Sequence, residues 1–551
     1  MNITMKKILM TLAAILCCTM TLVLTSCTIE DNPAPDPIQD NLADATIIWY
    51  GTGGGGNVDG YILENFRLFY KAQSKNFDRV NVVAQYKTSL DPTPYQEYSY
   101  EETGEWAENE IKNVSDEQLE TYDWFNYFFL CHPKAGASYR FAIDPKKPLY
   151  KTIRETEPYG EMNADCTNPD SLTNFINWAA THYPAKKYIL FMADHGGGYM
   201  PHHDVAEAAN SPQHRGLIYD DGYLVNDDHK CFSAKSFARG VRNANVHIDG
   251  IVLYLCLMNN MEFLYDAKDV TDYIVCSTYL MNAGGGALQS LVDNFGAGLD
   301  TKTALSNFVD ATVDSWDVEF YKPNNDKPEY YDLTLTETKR LDDLAPVLKE
   351  FTDRLVNTYQ NGTAEQRAAI DECTSNAVKI YNAEPLYDMA KYMESLFMTL
   401  PEVFDLDLFN RIMTAFNACI VHQRYGKYLA DHNYQVDYSV LLAVKGAYVT
   451  YRYDDKSLES AKAYYPDGTW KKYNYIDNGG DSSDGSLAHY EFTEEGSWFN
   501  TFANTYQLTT FDRLVGWSRW LLINEAAPPA WSPSSFNFVL PEDDMSGNPT
   551  L

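Results

Sequence analysis

The chain has 551 residues, in which 43 Lys and Arg residues stand against 77 Asp and Glu residues, so that its formal net charge is −34. This charge excludes proteins that bind nucleic acid through a basic face, and it disfavours an anionic membrane surface as a partner. Hydrophobic residues make up 45% of the chain, which excludes a disordered protein and is enough to build a core. At roughly 100–200 residues per domain, the length allows two to four domains.

The N-terminal segment has the pattern of a secretory signal. A basic start is followed by an apolar run over 8–24 and by small residues before Cys27. The residues that end in Cys27 resemble the bacterial lipoprotein box, which implies that this cysteine carries a lipid. An acidic pair at 30–31 resembles the surface-export signal of Bacteroides-type lipoproteins. We therefore expect a signal peptide at 1–26, an extended acidic and Pro-rich tether at 27–43, and a secreted lipoprotein anchored to the outer membrane and exposed at the cell surface.

The segments after the tether predict an α/β protein. Residues 45–50 predict a buried strand, 61–72 a helix and 80–86 a second strand, which together form a βαβ unit with parallel strands. Later apolar segments predict further strands at 139–143, 187–193, 248–258 and 273–277. Apolar residues at helical spacing predict helices at 170–180, 233–242, 285–320, 337–420 and 510–524. A polar loop is predicted from 199 to 228, and hairpins are predicted after 436.

A glycine run at 51–56 follows the first predicted strand. It matches the Gly-x-Gly-x-x-Gly pattern of nucleotide-binding turns, but a segment that is nearly all glycine matches this pattern trivially. The second strand also lacks a terminal acid to hold a ribose. A flexible turn between strand and helix is therefore the better interpretation, and a nucleotide-binding protein is a poor alternative.

Seven cysteines follow Cys27, and their number is odd. In an oxidising compartment, at least one thiol should therefore stay free. Their spacing shows no disulfide framework and no paired Cys-x-x-Cys zinc pattern. A free thiol can be a buried small hydrophobe or a reactive group, and the spacing alone leaves both possibilities open.

Two of the predicted strands end in residues with reactive side chains. In open parallel sheets, functional residues collect at the carboxyl ends of the strands. Here His195 follows the strand at 187–193, and Cys256 ends the strand that begins at 248. Each residue alone is more typical of a turn or of a core, but together they are typical of nucleophilic catalysis, because a nearby imidazole can hold a thiol ionised. The backbone N–H of Gly196, which has no side chain, can approach a substrate carbonyl as an oxyanion donor.

The segments around these two residues resemble the clostripain-like cysteine peptidases, which are relatives of caspases and gingipains. The resemblance lies in 193–199, 215–222 and 249–258, and it extends more loosely over most of 44–300. It implies a caspase-like α/β sandwich with a mostly parallel central sheet and helices on both faces. We expect this peptidase domain at 44–325 and a C-terminal region of helices and β-hairpins, 326–551, packed on it.

The same resemblance implies a function. His195 and Cys256 would form the dyad of a cysteine endopeptidase, a hydrolase that cleaves peptide bonds through a thioester, and the N–H groups of Gly196 and Cys256 would form the oxyanion hole. The alternative is a catalytically weak or inactive surface lipoprotein of the same fold that binds peptides or glycans. An aromatic C-terminal face would serve that alternative, although packing in hairpins also explains these residues, Trp470, Tyr473, Tyr475, Trp498 and Trp517.

The chain departs from the family pattern two residues before the predicted nucleophile. The family commonly has an Asp there, which helps to bind a substrate Lys or Arg, whereas this chain has Tyr254. A buried cation needs a paired charge, so we expect little preference for Arg or Lys at P1, the substrate residue before the cleaved bond. The substrate pocket would include Tyr254 and Asp194, and Asp194, Asp220 or Asp221 are the acids that could compensate.

No metal or other cofactor is expected from the sequence. His202, His203, Asp204 and His214 could form a metal cluster but are more typical of an exposed loop. Calcium dependence is known in the family, and the acidic pairs at 220–221 and 227–228 offer oxygen ligands for it. The expected partners are a protein or peptide substrate and the membrane through the lipid alone, and the protein is expected to be a monomer.

Overall fold

The computed structural model describes residues 42–53, 58–89, 136–147, 152, 155–198, 216–225, 228–281, 286–322, 330–380, 386–442, 450–452, 474–477, 487–491, 506, 509–521 and 523. The chain divides into a short unit, Met1–Leu42, and a large unit, Ala43–Leu551, which contains every element below. Cys27 and the predicted signal peptide lie outside the described residues. In the part of the chain that is described, each helix is too short or too polar to cross a membrane.

The described strands come from most of the length of the chain, and nine of them form the central sheet. In chain order the strands are β1 (Ala45–Thr52), β2 (Val80–Lys87), β3 (Ser138–Ala142), β4 (Pro158–Tyr159), β5 (Tyr188–Ala193), β6 (Leu217–Val225), β7 (Asp228–Phe232), β8 (Ile248–Tyr254), β9 (Thr271–Cys276), β10 (Asp332–Glu337), β11 (Leu386–Asp388), β12 (Ile420–Tyr425), β13 (Ser439–Leu441), β14 (Thr450–Arg452), β15 (Asn474–Asp477) and β16 (Leu487–Glu491).

The helices in the described part of the chain are α1 (Asp59–Phe69), α2 (Pro169–His182), α3 (Ala234–Arg242), α4 (Met261–Ala267), α5 (Gln289–Gly296), α6 (Thr301–Phe320), α7 (Leu341–Asn361), α8 (Ala364–Ser375), α9 (Met389–Thr399), α10 (Leu406–Cys419), α11 (Lys427–His432), α12 (Thr510–Val515) and α13 (Ser518–Leu521). Polar side chains begin several of them. Asn168 caps α2 and Ser233 caps α3, because each side chain accepts a hydrogen bond from a backbone N–H in the first turn of its helix.

The order of strands in the main sheet is β12-β10-β9-β8-β5-β1-β2-β3-β4. Its middle is parallel, since β1 pairs with β2 and β5, β5 pairs with β8, and β8 pairs with β9, all in parallel. Both outer parts are antiparallel. Parallel strands need long crossover connections, which the helices between them supply.

Successive residues of β1 show why helices cover both faces of the sheet. Every residue of this strand is buried, and alternate side chains point to opposite faces. Trp49 packs against Phe66 of α1, with ring centroids 4.5 Å apart, in a core shared with α5 and α6. Tyr50 packs against Phe175 of α2, at 5.9 Å, in a second core shared with α3, α4, α7, α9 and α10. The predicted caspase-like α/β class, with a mostly parallel sheet and helices on both faces, is therefore confirmed.

The C-terminal region contributes to the sheet as well as to its covering. Strands β10 and β12 come from beyond residue 326 and extend the sheet outside β9. The other strands of this region form a two-stranded sheet, β11 with β13, and a three-stranded sheet of β14, β16 and β15. The predicted boundary between 325 and 326 stays a prediction, and the hairpin turns expected at 466–468 and 478–480 lie outside the described residues.

The prediction of a polar loop as far as residue 228 was wrong in its last part. Strands β6 and β7 form an antiparallel hairpin there. The two strands pair with each other and lie outside the main sheet. Their sequences therefore lack the continuous apolar runs that mark strands buried on both faces.

Candidate active site

The paired ends of β5 and β8 bring the two predicted catalytic residues together. Ala193 and Tyr254 are register partners in this parallel pair. His195 and Cys256 each follow two residues later, so the chain leaves the sheet with both side chains at the same edge. They line one cavity of about 120 Å³, together with Val58, Asn65, Ala193, Asp194, Tyr254 and Met281.

The sulfur of Cys256 is half-buried and surrounded by backbone donors. The N–H of Met281 donates to Sγ over 3.2 Å. The backbone N–H groups of Gly196 and of Cys256 itself also face the sulfur, and all three lower the pKa of the thiol. Burial outweighs them and raises the pKa above its ordinary value. The resting thiol is therefore protonated at neutral pH.

Gly196 lies directly against the backbone of Cys256. A Cβ atom at this position would be 2.3 Å from the carbonyl oxygen of Cys256 and 2.8 Å from its nitrogen. These distances are shorter than van der Waals contact, so only glycine allows the two loops to approach this closely. The predicted oxyanion donors, the N–H groups of Gly196 and Cys256, thus lie beside each other at the nucleophile.

His195 is held by the hairpin of β6 and β7. Its carbonyl accepts a hydrogen bond from the N–H of Ile218 over 3.2 Å, and its ring lies 5.7 Å from the ring of Tyr219, between centroids. Burial lowers the pKa of His195. The imidazole is therefore neutral at neutral pH, which is the form that can accept a proton from a thiol.

Asp194 links this loop to the end of β1. Its Oδ2 atom accepts hydrogen bonds from the hydroxyl of Thr52, at 2.8 Å, and from the N–H of Tyr219, at 2.7 Å. Asp194 also lines the cavity, and its role in a substrate pocket stays a prediction. Its observed hydrogen bonds are those of a residue that fixes the His195 loop.

Two residues beside His195 and Cys256 have left-handed backbone conformations that side chains disfavour. Leu257, directly after Cys256, has a φ of 61°, and Ile218, which contacts His195, has a φ of 57°. Positive φ costs energy for any residue with a Cβ, and most of all for a β-branched one. Such strain clusters at functional sites, where the surrounding structure holds the chain in place.

Tyr254 occupies the family's usual acid position and forms one wall of the cavity. Its ring stacks on Phe191, with centroids 5.6 Å apart, and lies 5.9 Å from the ring of Trp316. The side chain is buried, which raises the pKa of its phenol well above the ordinary value. The hydroxyl therefore stays neutral and does not supply the negative charge of the missing Asp.

Asp220, one of the acids that could compensate for Tyr254, is engaged elsewhere. Its Oδ1 atom forms an ion pair with the ammonium of Lys87 over 2.5 Å, and its Oδ2 atom accepts from the N–H of Cys166 over 2.9 Å. Both side chains of the ion pair are buried. Asp220 therefore joins β6 to the end of β2, an arrangement that the sequence analysis missed.

Replacing Asp220 with asparagine is expected to destabilise the fold by about 3–5 kcal/mol, because the Lys87 ammonium would stay buried without a counter-charge. Urea unfolding of the two proteins measures the difference. The double variant Lys87→Met/Asp220→Asn removes both charges and should regain most of the loss. A loss of under about 1 kcal/mol in the single variant, the usual value of an exposed pair, would contradict this account.

Glu262, in the first turn of the helix after Cys256, holds the C-terminal segments. Its Oε1 atom accepts from the N–H of Leu441 over 2.8 Å and from the hydroxyl of Tyr506 over 2.7 Å. Complete burial raises the pKa of Glu262 to about 7. These contacts are those of a residue that packs distant segments together, not of a residue on a solvated helix face.

The first part of the glycine run, 51–53, lies within the described residues, and 54–56 lie outside them. A Cβ on Gly53 would overlap the carboxyl group of Asp59, the first residue of α1. That carboxylate accepts hydrogen bonds from Tyr86 and Ser89. A buried carboxylate at this helix start opposes a bound phosphate, and the interpretation of the run as a turn stays a prediction.

The predicted calcium ligands are only partly described. Asp220 faces Lys87, whereas Asp227 and the side chains of Asp221 and Asp228 lie outside the described residues, so calcium binding stays a prediction. The same holds for the histidine cluster at 202–214. Among the described residues, His247, Asp249 and Asp272 bring possible metal-ligand atoms within 4.8 Å of one another.

Of the aromatic residues named above for a C-terminal binding face, Trp517 is the one whose side chain is described. Trp517 is fully buried, and its Nε1–H donates to the carbonyl of Leu441 over 2.7 Å, so it is a core residue. The side chains of Trp470, Tyr473, Tyr475 and Trp498 lie outside the described residues. Each cysteine in the described part of the chain is a free thiol, and all of these except Cys256 are buried (Cys166, Cys231, Cys276, Cys373 and Cys419).

Three solved structures of C11 proteases are similar to this chain. A secreted C11 cysteine protease from Bacteroides thetaiotaomicron, "iotapain", has a TM-score of 0.46 and 16% identity, over 70% of this chain and 87% of that one. A secreted C11 cysteine protease from the same organism, in complex with an irreversible peptide inhibitor, has a TM-score of 0.48 and 11% identity, over 86% and 99% of the two chains. An inactive zymogen C11 protease from Parabacteroides distasonis has a TM-score of 0.45 and 13% identity, over 78% and 98%.

Sequence comparison gives the family. Clostripain from Hathewaya histolytica is 26% identical over 158 residues, which are 28% of this chain, and the chain spans 28% of the length of that relative. The model of the clostripain family matches residues 142–477, a range that covers more than half of the chain and includes both His195 and Cys256. The chain therefore belongs to the clostripain family of cysteine peptidases.

Proposed function

We propose that this protein is an active cysteine endopeptidase in which Cys256 is the nucleophile and His195 is the general base. The observation that carries the proposal is the position of both side chains at paired strand ends, in one cavity, with the N–H groups of Gly196 and Cys256 at the sulfur. A nucleophile, a base and two backbone donors are the components that acyl transfer requires.

The chemistry follows from these groups. His195 takes the thiol proton as the sulfur attacks the carbonyl carbon of the scissile bond, and the resulting oxyanion accepts hydrogen bonds from Gly196 and Cys256. Collapse of this tetrahedral intermediate breaks the C–N bond, and the leaving amine takes the proton from His195. Water, deprotonated by His195, then attacks the thioester and releases the acid and the free thiol. Side chains and backbone supply every step, so the proposed mechanism uses no cofactor.

In the resting state, the Cys256 thiol and the His195 imidazole are both neutral. Burial raises the pKa of the Cys256 thiol and lowers that of the His195 imidazole, so the proton stays on sulfur until a substrate occupies the cavity. We propose that the substrate is a protein or peptide and that the enzyme acts as a monomer. We also propose that it is a secreted lipoprotein, anchored to the outer membrane through Cys27, as the N-terminal pattern predicts.

Chemical labelling of Cys256 tests this proposal. Iodoacetamide should label the resting thiol slowly at pH 7, and the rate should still be rising at about pH 9, because a raised pKa lowers the thiolate fraction at every pH below it. A peptide that carries an acyloxymethyl ketone should label Cys256 rapidly at pH 7, since it fills the cavity. Removing the base in His195→Ala should slow that second reaction by about 10²-fold or more.

Mass spectrometry of the Cys256 peptide separates its labelling from that of the other thiols. Equal rates of peptide-ketone labelling in the wild-type protein and in His195→Ala would contradict the dyad. Peptide or glycan binding without any labelling or hydrolysis would favour the inactive binding lipoprotein instead.

A further inference from the structure

The cavity beside Cys256 is lined by a buried amide to which the described residues offer no hydrogen bond. Asn65, on helix α1, is 1% exposed and lines this cavity with His195, Tyr254 and Cys256. Neither its Oδ1 nor its Nδ2 atom has a hydrogen-bond partner among the described residues. Leaving a buried polar group unpaired costs roughly 1–3 kcal/mol, so native structures rarely keep one without a reason. An unpaired amide that points into a reactive cavity is a ligand-binding group.

The cavity lining is neutral at Asn65 and Tyr254. The Asn65 amide carries no net charge, and burial keeps the phenol of Tyr254 neutral. The carboxylate of Asp194 also lines the cavity, and its Oδ2 atom accepts hydrogen bonds from Thr52 and from the N–H of Tyr219. These neutral donors leave the charge of Asp194 in place, so the preference for an amide rests on Asn65.

The hydrogen-bonding capacity of Asn65 defines the complementary group. Its unpaired carbonyl oxygen seeks a donor and its unpaired NH₂ group seeks an acceptor. A primary amide offers both in one plane, so a second amide can satisfy both atoms of Asn65 at once. A carboxylate lacks the donor, and an aliphatic side chain lacks both.

We infer that Asn65 is a specificity-determining residue of the P1 pocket and that the enzyme cleaves after residues with a primary amide, asparagine or glutamine. This inference rests on the proposed function of Cys256. The pocket then takes a neutral amide in place of the basic side chain that an acid at position 254 would bind.

A matched set of peptides that differ only at P1 tests the inference. The values of kcat/KM for Asn, Gln, Asp, Ala and Arg at P1 are compared in the full-length protein, and Asn and Gln should each exceed Ala by at least about tenfold. In Asn65→Leu, the ratio of Asn to Ala should fall by about tenfold or more. In Asn65→Asp, the preference should move toward Arg and Lys, because a carboxylate would now face the P1 side chain.

The variant Asn174→Leu is the matched control. Asn174 is an exposed residue of α2 and does not line the cavity, so the Asn-to-Ala ratio should stay at the wild-type value. A change in P1 preference is also a readout that general loss of stability does not produce. Each variant is compared with the wild type by circular dichroism before its kinetics are measured.

The possible outcomes separate this inference from the proposed function. Cleavage after Ala or Arg with no preference for Asn would overturn the inference and leave the peptidase intact. An Asn preference that survives in Asn65→Leu would overturn the role of Asn65. Absence of hydrolysis for every peptide, in the wild type and in Cys256→Ala alike, would overturn the proposed function and the inference with it.

Discussion

Replacing Cys256 with alanine is expected to reduce peptide hydrolysis by at least about 10³-fold, because no other group in the cavity can form the thioester. The fold should be retained. Cys256 is half-buried, and the substitution removes only the sulfur, which contacts backbone groups, among them those of Met281. Initial rates with a fluorogenic peptide measure the loss, and circular dichroism verifies the fold.

The control for this variant is another cysteine. Cys373, in helix α8, is buried and lies outside the cavity, so Cys373→Ala should alter stability and retain hydrolysis. If Cys256→Ala still cleaves peptides at a rate near that of the wild type, Cys256 is not the nucleophile. If neither the wild type nor Cys373→Ala cleaves anything, the peptide-binding alternative gains support.

Replacing Gly196 with alanine is expected to remove activity without touching either catalytic side chain. The new Cβ would lie 2.3 Å from the carbonyl oxygen of Cys256, a backbone atom that cannot rotate away. The loops that carry His195 and Cys256 must therefore separate, which moves the N–H of Gly196 away from the oxyanion. Loss of one such donor lowers kcat by about 10²–10³-fold in peptidases, so a decrease of at least 10²-fold is expected.

The same variant should also be less stable, because the loops are packed backbone against backbone. Steady-state kinetics and thermal unfolding measure the two effects separately. Gly160→Ala is the matched control, since Gly160 has a positive φ of 74° but no atom within 4 Å of its Cβ position. Gly160→Ala therefore bears only the conformational cost of a side chain at positive φ. Wild-type kcat in Gly196→Ala would refute the role of this close approach.

The central strands and the meeting of His195 and Cys256 at one edge of the sheet were predictable because local patterns encode them. A parallel strand that is buried on both faces reads as a continuous apolar run, and the runs that end at Ala193 and near Tyr254 are of this kind. Reactive residues just after such runs must meet at one edge of the sheet. The positions of His195 and Cys256 therefore follow from strand pairing alone, without knowledge of any side-chain contact.

The remaining parts of the site depend on contacts between distant segments, which local patterns do not contain. Lys87 ends a strand and reads as a solvated charge, yet it is buried against Asp220, 133 residues later. Asn65 lies within an ordinary helix, and only the tertiary structure places it in the cavity. A polar residue among apolar ones on a helix is a signal for such a site. The sequence does not show which part of the protein that side chain faces until the packing is known.

The strand order of the sheet has a consequence for how the chain can be divided. Strand β9 has the parallel strand β8 on one side and the antiparallel strand β10 on the other, and β10 comes from residues 332–337. A fragment that stops at residue 325 would leave the N–H and C=O groups of β9 as an open edge beside apolar Ile274 and Val275. Open edges of this kind recruit strands from other molecules. The catalytic half of the sheet is therefore not an independent module, and its solubility depends on the sequence that follows it.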